Sequence, residues 1–256
     1  MPKTKIGAQL YTVRDFTKTP ADIAKTIAKL RKIGYEAVQA SATGPIDPKD
    51  LRKILDNEGV VCAATHRGFD QMKSEPDKVV EEHEIIGCKH TAIGGLPQNY
   101  RTSAETYRQF AKEASQVAKT LLAKGLTWSY HNHSFELERF NGGPAALEIL
   151  YAESDPKCFF AEIDTYWITH GGGDPAAWIR RMKGRVPLVH FKDMVVHEGK
   201  PIMAPVGAGN LNWPEILKAC ADAGAEWYLV EQDTCLGDPF EALKQSFENL
   251  RSWGVK

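Results

Sequence analysis

The chain has 256 residues, of which 43% are hydrophobic and 25% charged, and its 32 basic and 33 acidic residues leave a net charge of −1. This composition is typical of a globular protein with a sizeable core, and it excludes a disordered chain. The near-balance of charge, without a cluster of lysine and arginine, argues against nucleic acid as a partner.

Predicted elements recur along the chain as a helix, a glycine and a short apolar strand. The pattern appears in LRKIGYEAVQAS, DNEGVVCAATH, EIIGCKHTAIGG, LLAKGLTWSYHNH, RMKGRVPLVHFKD and ADAGAEWYLVEQD. Each unit has a glycine where a helix C-cap needs a left-handed residue, at Gly34, Gly59, Gly87, Gly125, Gly184 and Gly224. Two more apolar runs, KTKIGAQLYTVRD at the start and PKCFFAEIDTYW after the helical stretch PAALEILYAESD, give eight predicted strands.

Eight such units in 256 residues predict one domain, a (β/α)8 TIM barrel over residues 1–256. The strands are continuous apolar runs, as in parallel strands covered by helices. Residues 102–124, between two of these strands, carry apolar residues at helical spacing. A doubly wound open sheet is the alternative, and it is less favoured because no GxGxxG motif follows the first strand.

The chain shows no sign of export or of membrane insertion. No apolar run approaches the roughly 18 residues that span a bilayer, and the start MPKTKIGAQLYTV lacks the apolar segment of a signal peptide. The five cysteines are scattered and form no CxxC motif, which predicts reduced thiols. We therefore expect a cytoplasmic protein.

Polar residues at the ends of the predicted strands are the candidate site, because catalytic groups of such barrels gather at the C-terminal strand ends. The main ones are Gln9, Tyr11, Arg14, Gln39, His66, His131, Asn132, His133, Glu136, Glu162, Asp164, His190, Lys192, Asp193, Glu231 and Asp233. Imidazole and carboxylate together suit manganese, zinc, cobalt or iron. Any one of these residues is as readily a cap or an ion pair; several in one barrel favour a metal site.

The segments YHNHSFE, EIDTYW, VHFKD and LVEQD, in this order, resemble the sugar-phosphate isomerase/epimerase family with the xylose-isomerase-like TIM barrel. The resemblance covers essentially the whole chain, from GAQLYTVRD through VGAGNLNWPEIL. It implies a metal-dependent isomerase, epimerase or lyase acting on a keto-sugar, keto-inositol or keto-glycoside. The shared chemistry would be proton abstraction next to a metal-polarised carbonyl.

The resemblance also implies one divalent ion, manganese in the first place, with zinc, cobalt or iron(II) as alternatives. Carried over by motif, its ligands are His131, Asp164, His190 and Glu231. His131 departs from the family pattern, because relatives usually have a glutamate at the end of strand five. Gln39 likewise stands where a strand-two glutamate is usual.

These departures favour elimination over the family's epimerisation, in which two metal-bound glutamates work on opposite faces of the substrate. Glu231 is the expected base. His131 or His133 is the expected second acid/base, because imidazole titrates near neutrality, with a reference pKa of about 6.5. His133 is preferred, since a ligand imidazole such as His131 cannot easily transfer a proton as well. Lys192 is expected to polarise a substrate oxygen or stabilise an enolate.

Other polar residues have weaker predicted roles. Tyr11, His66 and Trp167 are the candidate substrate contacts, and Asp193 and Asp233 are expected to pair with lysine or arginine. The loop MVVHEGKPIMAPVGAG is long enough to act as a lid over the mouth. The sequence suggests no role for His83, His90 or His170.

Two further functions stay open at this point. A DNA-repair enzyme resembling the apurinic endonucleases would need more metal ligands and a basic groove, and the net charge of −1 argues against it. A sugar-binding barrel without catalysis rests only on the missing glutamate. The expected partner is therefore a small carbohydrate, with no nucleic acid and no membrane, and association into a homo-oligomer is common among such barrels.

Overall fold

Eight parallel strands close into a barrel in the computed structural model, which describes residues 5–256. The barrel strands are β1 Ile6–Gln9, β2 Ala37–Ala40, β3 Val61–His66, β4 His90–Ile93, β5 Thr127–His131, β6 Phe160–Asp164, β7 Leu188–Phe191 and β10 Trp227–Val230. Two further strands, β8 Asp193–His197 and β9 Lys200–Ala204, form a separate sheet. The helices are α1 Pro20–Ile33, α2 Pro48–Glu58, α3 Phe69–Ser74, α4 Pro76–Ile86, α5 Ala104–Ala123, α6 Ala146–Glu153, α7 Thr165–His170, α8 Pro175–Arg181, α9 Trp213–Ala223 and α10 Pro239–Ser252. Around the barrel the order is β1, β10, β7, β6, β5, β4, β3, β2, which confirms the predicted TIM barrel.

The helix ends follow the local sequence signals. All six glycines of the predicted repeat have positive φ. At Gly59 the left-handed conformation lets its N–H reach the carbonyls of Leu55 and Asp56 at the end of α2. At the other end of a helix, the Thr19 hydroxyl accepts the N–H of Asp22 and caps α1. These caps set where each helix stops and the next strand begins.

The longest helix, α5, shows how the outer layer packs. Ser103 caps it in a reciprocal arrangement with Thr106, in which each hydroxyl accepts the other residue's N–H. Its buried positions recur at helical spacing and face the barrel: Tyr107, Phe110, Ala111, Ala114, Ser115, Val117, Ala118 and Leu121. Within residues 5–256, no helix is both long enough and apolar enough to cross a membrane.

The inside of the barrel has an apolar layer that supports a polar one. Ala37, Ala63, Ala64, Leu188 and Leu229 form a cluster separate from the main core between strands and helices. Strand residues two positions apart face the same side. His190 therefore follows Leu188 on β7, and Glu231 follows Leu229 at the end of β10. The polar layer lies at the C-terminal strand ends, as a catalytic mouth requires.

The segment after β7 is a β-hairpin, whereas the sequence predicted a loop. β8 and β9 pair antiparallel, with Asp193 opposite Ala204 and His197 opposite Lys200. The turn residues Glu198 and Gly199 have φ angles of 50° and 74°, as in a type I′ turn. The prediction missed this hairpin because Glu-Gly is a weaker turn signal than Asn-Gly or Asp-Gly.

Asp193 holds the segment after this hairpin, and the predicted pairing with lysine or arginine is wrong. Its carboxylate accepts the backbone N–H groups of Gly207 at 2.8 Å and Gly209 at 3.1 Å, and the indole N–H of Trp213 at 2.6 Å. It also accepts the N–H groups of Met194 and Leu211. Backbone and indole donors thus take the place of a cationic side chain.

Candidate active site

A cavity of about 240 Å³ opens at the C-terminal ends of the barrel strands. Its lining residues are Tyr11, Ser41, Ala42, His66, Gly94, His131, His133, Lys192, Glu231 and Asp233. Trp167, a predicted substrate contact, does not line the cavity. Its ring packs beside that of His133, with 5.4 Å between the ring centroids. A larger cavity of about 490 Å³ lies between the hairpin and α10, but its lining contains no histidine, so the mouth is the candidate site.

The four predicted ligands meet at the floor of the mouth. Donor atoms of His131, Asp164, His190 and Glu231 all lie within 4.8 Å of one another, and all four side chains are buried. Asp164 Oδ2 is 3.1 Å from His131 Nε2 and 3.8 Å from His190 Nδ1, and His190 Nδ1 is 2.8 Å from Glu231 Oε2. Because zinc binds nitrogen and oxygen ligands at about 2.0–2.2 Å, neighbouring donors around such an ion lie about 3–3.5 Å apart. The cluster therefore has the chemistry and the spacing of a metal site.

The charges of this cluster suit a cation. Burial alone would raise the pKa of Glu231, but the charges of Lys192 and His190 outweigh it and hold that pKa well below its usual value. Burial, and then the neighbouring charge of His190, lowers the pKa of His131. Burial disfavours the charged form of His190 too, yet Glu162 and Glu231 raise its pKa to about 10. A metal ion would take the place of that His190 proton.

Lys192 adds a second positive charge to the same cluster. Its Nζ lies 3.0 Å from Asp164 Oδ2, 2.8 Å from Glu231 Oε2 and 2.8 Å from Asp233 Oδ1, and only 1% of its side chain is exposed. Burial opposes its charge, but the three carboxylates raise its pKa above the usual value. Burial, and then the charge of Glu231, raises the pKa of Asp233 to about 6. The predicted pairing of Asp233 with a lysine is confirmed.

The position of Asp164 follows from its place between a strand and a helix. It ends β6 and caps α7, where its Oδ1 accepts the N–H of Trp167 at 3.0 Å. Its own N–H donates to Asn132 Oδ1 at 3.0 Å, which ties the end of β6 to the turn after β5. One carboxylate oxygen is thus used by the fold, and Oδ2 faces the cluster.

His133 lies in that turn, held from below by Glu136. Glu136 Oε2 accepts the N–H of His133 at 2.9 Å, and its Oε1 accepts the Tyr130 hydroxyl at 2.7 Å. Burial raises the pKa of Glu136 to about 7. Burial and then His131 lower the pKa of His133 to about 3. The prediction that His133 titrates near neutrality is therefore not supported, and its ring is neutral at pH 7.

A second polar group lies under the mouth, and the sequence had placed its members among the strand-end candidates without predicting their contacts. Glu162, fully buried on β6, accepts the His66 Nε2–H at 2.6 Å and the Gln39 Nε2–H at 2.7 Å. His190 Nε2 lies 2.7 Å from Gln39 Oε1. His66, Glu162 and His190 are spaced closely enough to hold a metal, but their facing atoms already bind one another or Gln39. One signal pointed to Glu162, since it lies two residues before Asp164 on the same strand face.

Comparisons with known proteins agree with this geometry. The family model described as xylose isomerase-like TIM barrel matches residues 27–253. The inosose dehydratase of Clostridium tetani is 23% identical, over 93% of each chain. Among solved structures, a sugar phosphate isomerase/epimerase from Parabacteroides distasonis superposes with a TM-score of 0.84 at 22% identity, covering 100% of this chain and 96% of that one. An L-ribulose 3-epimerase superposes with a TM-score of 0.70 at 16% identity, covering 98% and 94%.

Proposed function

The chain is an enzyme of the xylose isomerase-like TIM barrel family, and we propose that it is a metal-dependent lyase that removes water from a small keto-inositol or keto-sugar. The curated relatives that support a lyase are named inosose dehydratases. The cavity of about 240 Å³ is below the roughly 300–1,000 Å³ of pockets for drug-sized ligands, which favours a single small ring over a longer glycoside.

One observation carries the choice of elimination over epimerisation: the carboxylates that line the cavity lie on one side of it. Glu231 and Asp233 both follow β10, whereas the facing side, at the ends of β3 and β5, presents His66, His131 and His133. Two-base epimerisation needs a base on each face of the substrate. Elimination needs one base, together with a donor for the departing hydroxyl.

The ligands of the proposed ion are His131, Asp164, His190 and Glu231. A divalent ion bound there, manganese first and zinc, cobalt or iron(II) as alternatives, would supply Lewis-acid polarisation of the substrate carbonyl. Glu231 takes the proton from the carbon next to that carbonyl. The bond between the following carbon and its hydroxyl oxygen then breaks as a carbon–carbon double bond forms.

The remaining cavity residues complete this proposal. Lys192 is the charged donor beside Glu231, and it polarises a substrate oxygen while keeping its own proton. The proton that Glu231 has taken passes to the departing hydroxyl, which leaves as water. His133, neutral at pH 7, and His66 offer hydrogen bonds to the other hydroxyls of the ring. The guanidinium of Arg14 lies 4.3 Å from the ring centroid of Tyr11 and keeps that side chain at the rim. Trp167 acts indirectly, by packing against His133.

A panel of keto-inositols and ketoses, incubated with the metal-loaded enzyme in deuterated water and followed by NMR, tests the function. We expect loss of water from one class of substrate, no turnover after chelation, and a loss of about 10²- to 10⁴-fold in kcat for Glu231→Gln. Glu226→Gln, which alters a carboxylate paired with His90 away from the mouth, should leave the rate unchanged. An epimer formed without water loss, or full activity after chelation, would contradict the proposal.

Binding alone, without turnover, would leave the sugar-binding alternative. A DNA-repair function is less favoured, because the cation that lines the cavity, Lys192, is already held by three carboxylates. Duplex binding with a steep salt dependence would reverse that preference.

A further inference from the structure

We propose that Gln39 and Glu162 are positioning residues that hold Nε2 of His190 as a hydrogen-bond donor, so that Nδ1 alone can bind the metal ion. The ion in this statement rests on the proposed function. The direction of the hydrogen bonds does not, since it follows from the buried side chains alone. All three residues are fully buried.

The first fixed point is a backbone N–H, which can only donate. The N–H of Tyr11 donates to Gln9 Oε1 at 3.2 Å, so the other end of the Gln9 amide is its nitrogen. That nitrogen donates to Gln39 Oε1 at 2.8 Å. The Gln39 amide must therefore present its oxygen to Gln9 and its nitrogen to Glu162.

The second fixed point is Glu162, at the opposite end of the chain of hydrogen bonds. The oxygens of its carboxylate accept hydrogen bonds from side-chain nitrogens. It accepts from Gln39 Nε2 at 2.7 Å and from His66 Nε2 at 2.6 Å. The Gln39 amide thus presents its nitrogen to Glu162, in agreement with the orientation that the N–H of Tyr11 requires.

The orientation of Gln39 determines the role of each His190 nitrogen. Gln39 Oε1 is a pure acceptor and lies 2.7 Å from His190 Nε2, so Nε2 must carry a hydrogen. Nδ1 lies on the other side of the ring, 2.8 Å from Glu231 Oε2. The rings of His66 and His131 pack against His190, with centroid distances of 5.6 and 4.5 Å, which opposes a ring flip. Nδ1 is then the one nitrogen that can offer a lone pair to a metal.

Nitrogen-15 NMR of histidine-labelled protein tests this assignment directly. In the metal-free protein we expect a His190 Nε2–H protected from exchange with water. With ¹¹³Cd²⁺ bound, we expect metal coupling at His190 Nδ1 while the Nε2–H signal persists. The signals of His190 are assigned as those that disappear from the spectrum of His190→Gln. Coupling to cadmium at Nε2, or an Nε2 without hydrogen in the metal-free protein, would overturn the proposal.

The variant Gln39→Met removes the acceptor at similar side-chain volume. Removing such a supporting partner typically lowers metal affinity by about 10- to 100-fold, and we expect that loss in a calorimetric zinc titration. Ser129→Ala is the matched control, because Ser129 is equally buried on β5 and its hydroxyl has no partner among the described residues. Unchanged zinc affinity in Gln39→Met would count against the proposal.

The same experiments separate this proposal from the proposed function. If wild-type protein binds no divalent metal, the proposed lyase fails, while the Nε2–H of the metal-free protein still tests the hydrogen-bond direction. If metal binds through Nδ1 but no substrate is dehydrated, the lyase fails and the positioning role stands. Neither result depends on how Gln39→Met folds.

Discussion

The two sides of the cavity differ in how far their polar groups are paired. The carboxylate wall is defined as Lys192, Glu231 and Asp233, and Lys192 forms ion pairs with both of its carboxylates. Lys192 also pairs with Asp164, which lies below the cavity. The imidazole wall, defined as His66, His131 and His133, is less satisfied. Among the described residues, the buried Nδ1 atoms of His131 and His133 have no hydrogen-bond partner. Charge is therefore concentrated on one wall, and free hydrogen-bonding capacity on the other.

The largest expected effect comes from breaking the carboxylate wall with Lys192→Met. Removing one partner of a buried ion pair typically costs about 3–5 kcal/mol, because the remaining charges stay buried without compensation. We expect the free energy of unfolding, measured by urea denaturation of the metal-free protein, to fall by about that amount. Saturating manganese should restore part of the loss, because a bound cation compensates the same carboxylates.

Lys124→Met is the matched control for this experiment. Lys124 also pairs with a carboxylate, that of Asp77, but its side chain is 41% exposed and that of Asp77 is 83% exposed. Exposed ion pairs contribute little to stability. Equal stabilities of the two variants would show that Lys192 does not neutralise the wall.

A smaller effect on stability is expected from the ionisation of Glu136, which lies below the imidazole wall and accepts the N–H of His133. Its pKa is about 7 in the folded protein, against 4.5 when exposed. Between these values the folded state keeps a proton that the unfolded state has released, so stability falls as the pH rises from 4.5 to 7. At about 1.4 kcal/mol per pKa unit, the full loss is about 3 kcal/mol.

Glu136→Gln should remove this pH dependence, because the amide does not ionise and can still accept from His133 and donate to the Tyr130 hydroxyl. The measurement is the free energy of unfolding at pH 5 and at pH 8, for wild type and variant. Between pH 5 and pH 8, we expect the free energy of unfolding of the wild type to fall by up to about 3 kcal/mol more than that of the variant. Glu138→Gln alters an exposed neighbour and should follow wild type. Parallel pH profiles for wild type and Glu136→Gln would contradict the assignment.

Most of the fold could be predicted because its signals are local. Each glycine cap lies a few residues before a strand and so indicates where that strand begins, and all six caps have positive φ. The β8–β9 hairpin was missed because its Glu-Gly turn is a weak signal. Asp193 was misread for a different reason. Its donors come from the loop at Gly207 and from the start of α9 at Trp213, which fold back onto it. No residue type in the sequence marks a backbone N–H as a partner.

The residues of the candidate site could also be predicted from local signals, whereas their contacts could not. The strand-end rule placed His131, Asp164, His190 and Glu231 among its candidates, and the family resemblance selected these four as ligands. The structure brings them together. The rule could not find the bonds of Gln39 and Glu162, because their partners lie on β3 and β7 and become neighbours only when the barrel closes. It also could not find the depressed pKa of His133, which depends on burial by the finished turn.

The smallest predicted effect comes from making the two walls more alike with His131→Glu. The wild-type cluster offers two imidazoles and two carboxylates, and the variant would offer one imidazole and three carboxylates. Carboxylate suits manganese better than imidazole does, whereas imidazole suits zinc. We expect the ratio of manganese to zinc affinity to rise by roughly tenfold, or about 1.4 kcal/mol, in competition titrations.

His131→Gln separates the added charge from the lost imidazole, because glutamine removes the ring without adding a carboxylate. We expect it to weaken the binding of both metals without the gain for manganese. With a carboxylate on each wall, His131→Glu should also place a base on both faces of the substrate, so a trace of epimer should accompany the dehydrated product. An unchanged metal preference would show that residue 131 does not contact the ion. The difference between the two walls would then affect the binding of the substrate and not that of the metal.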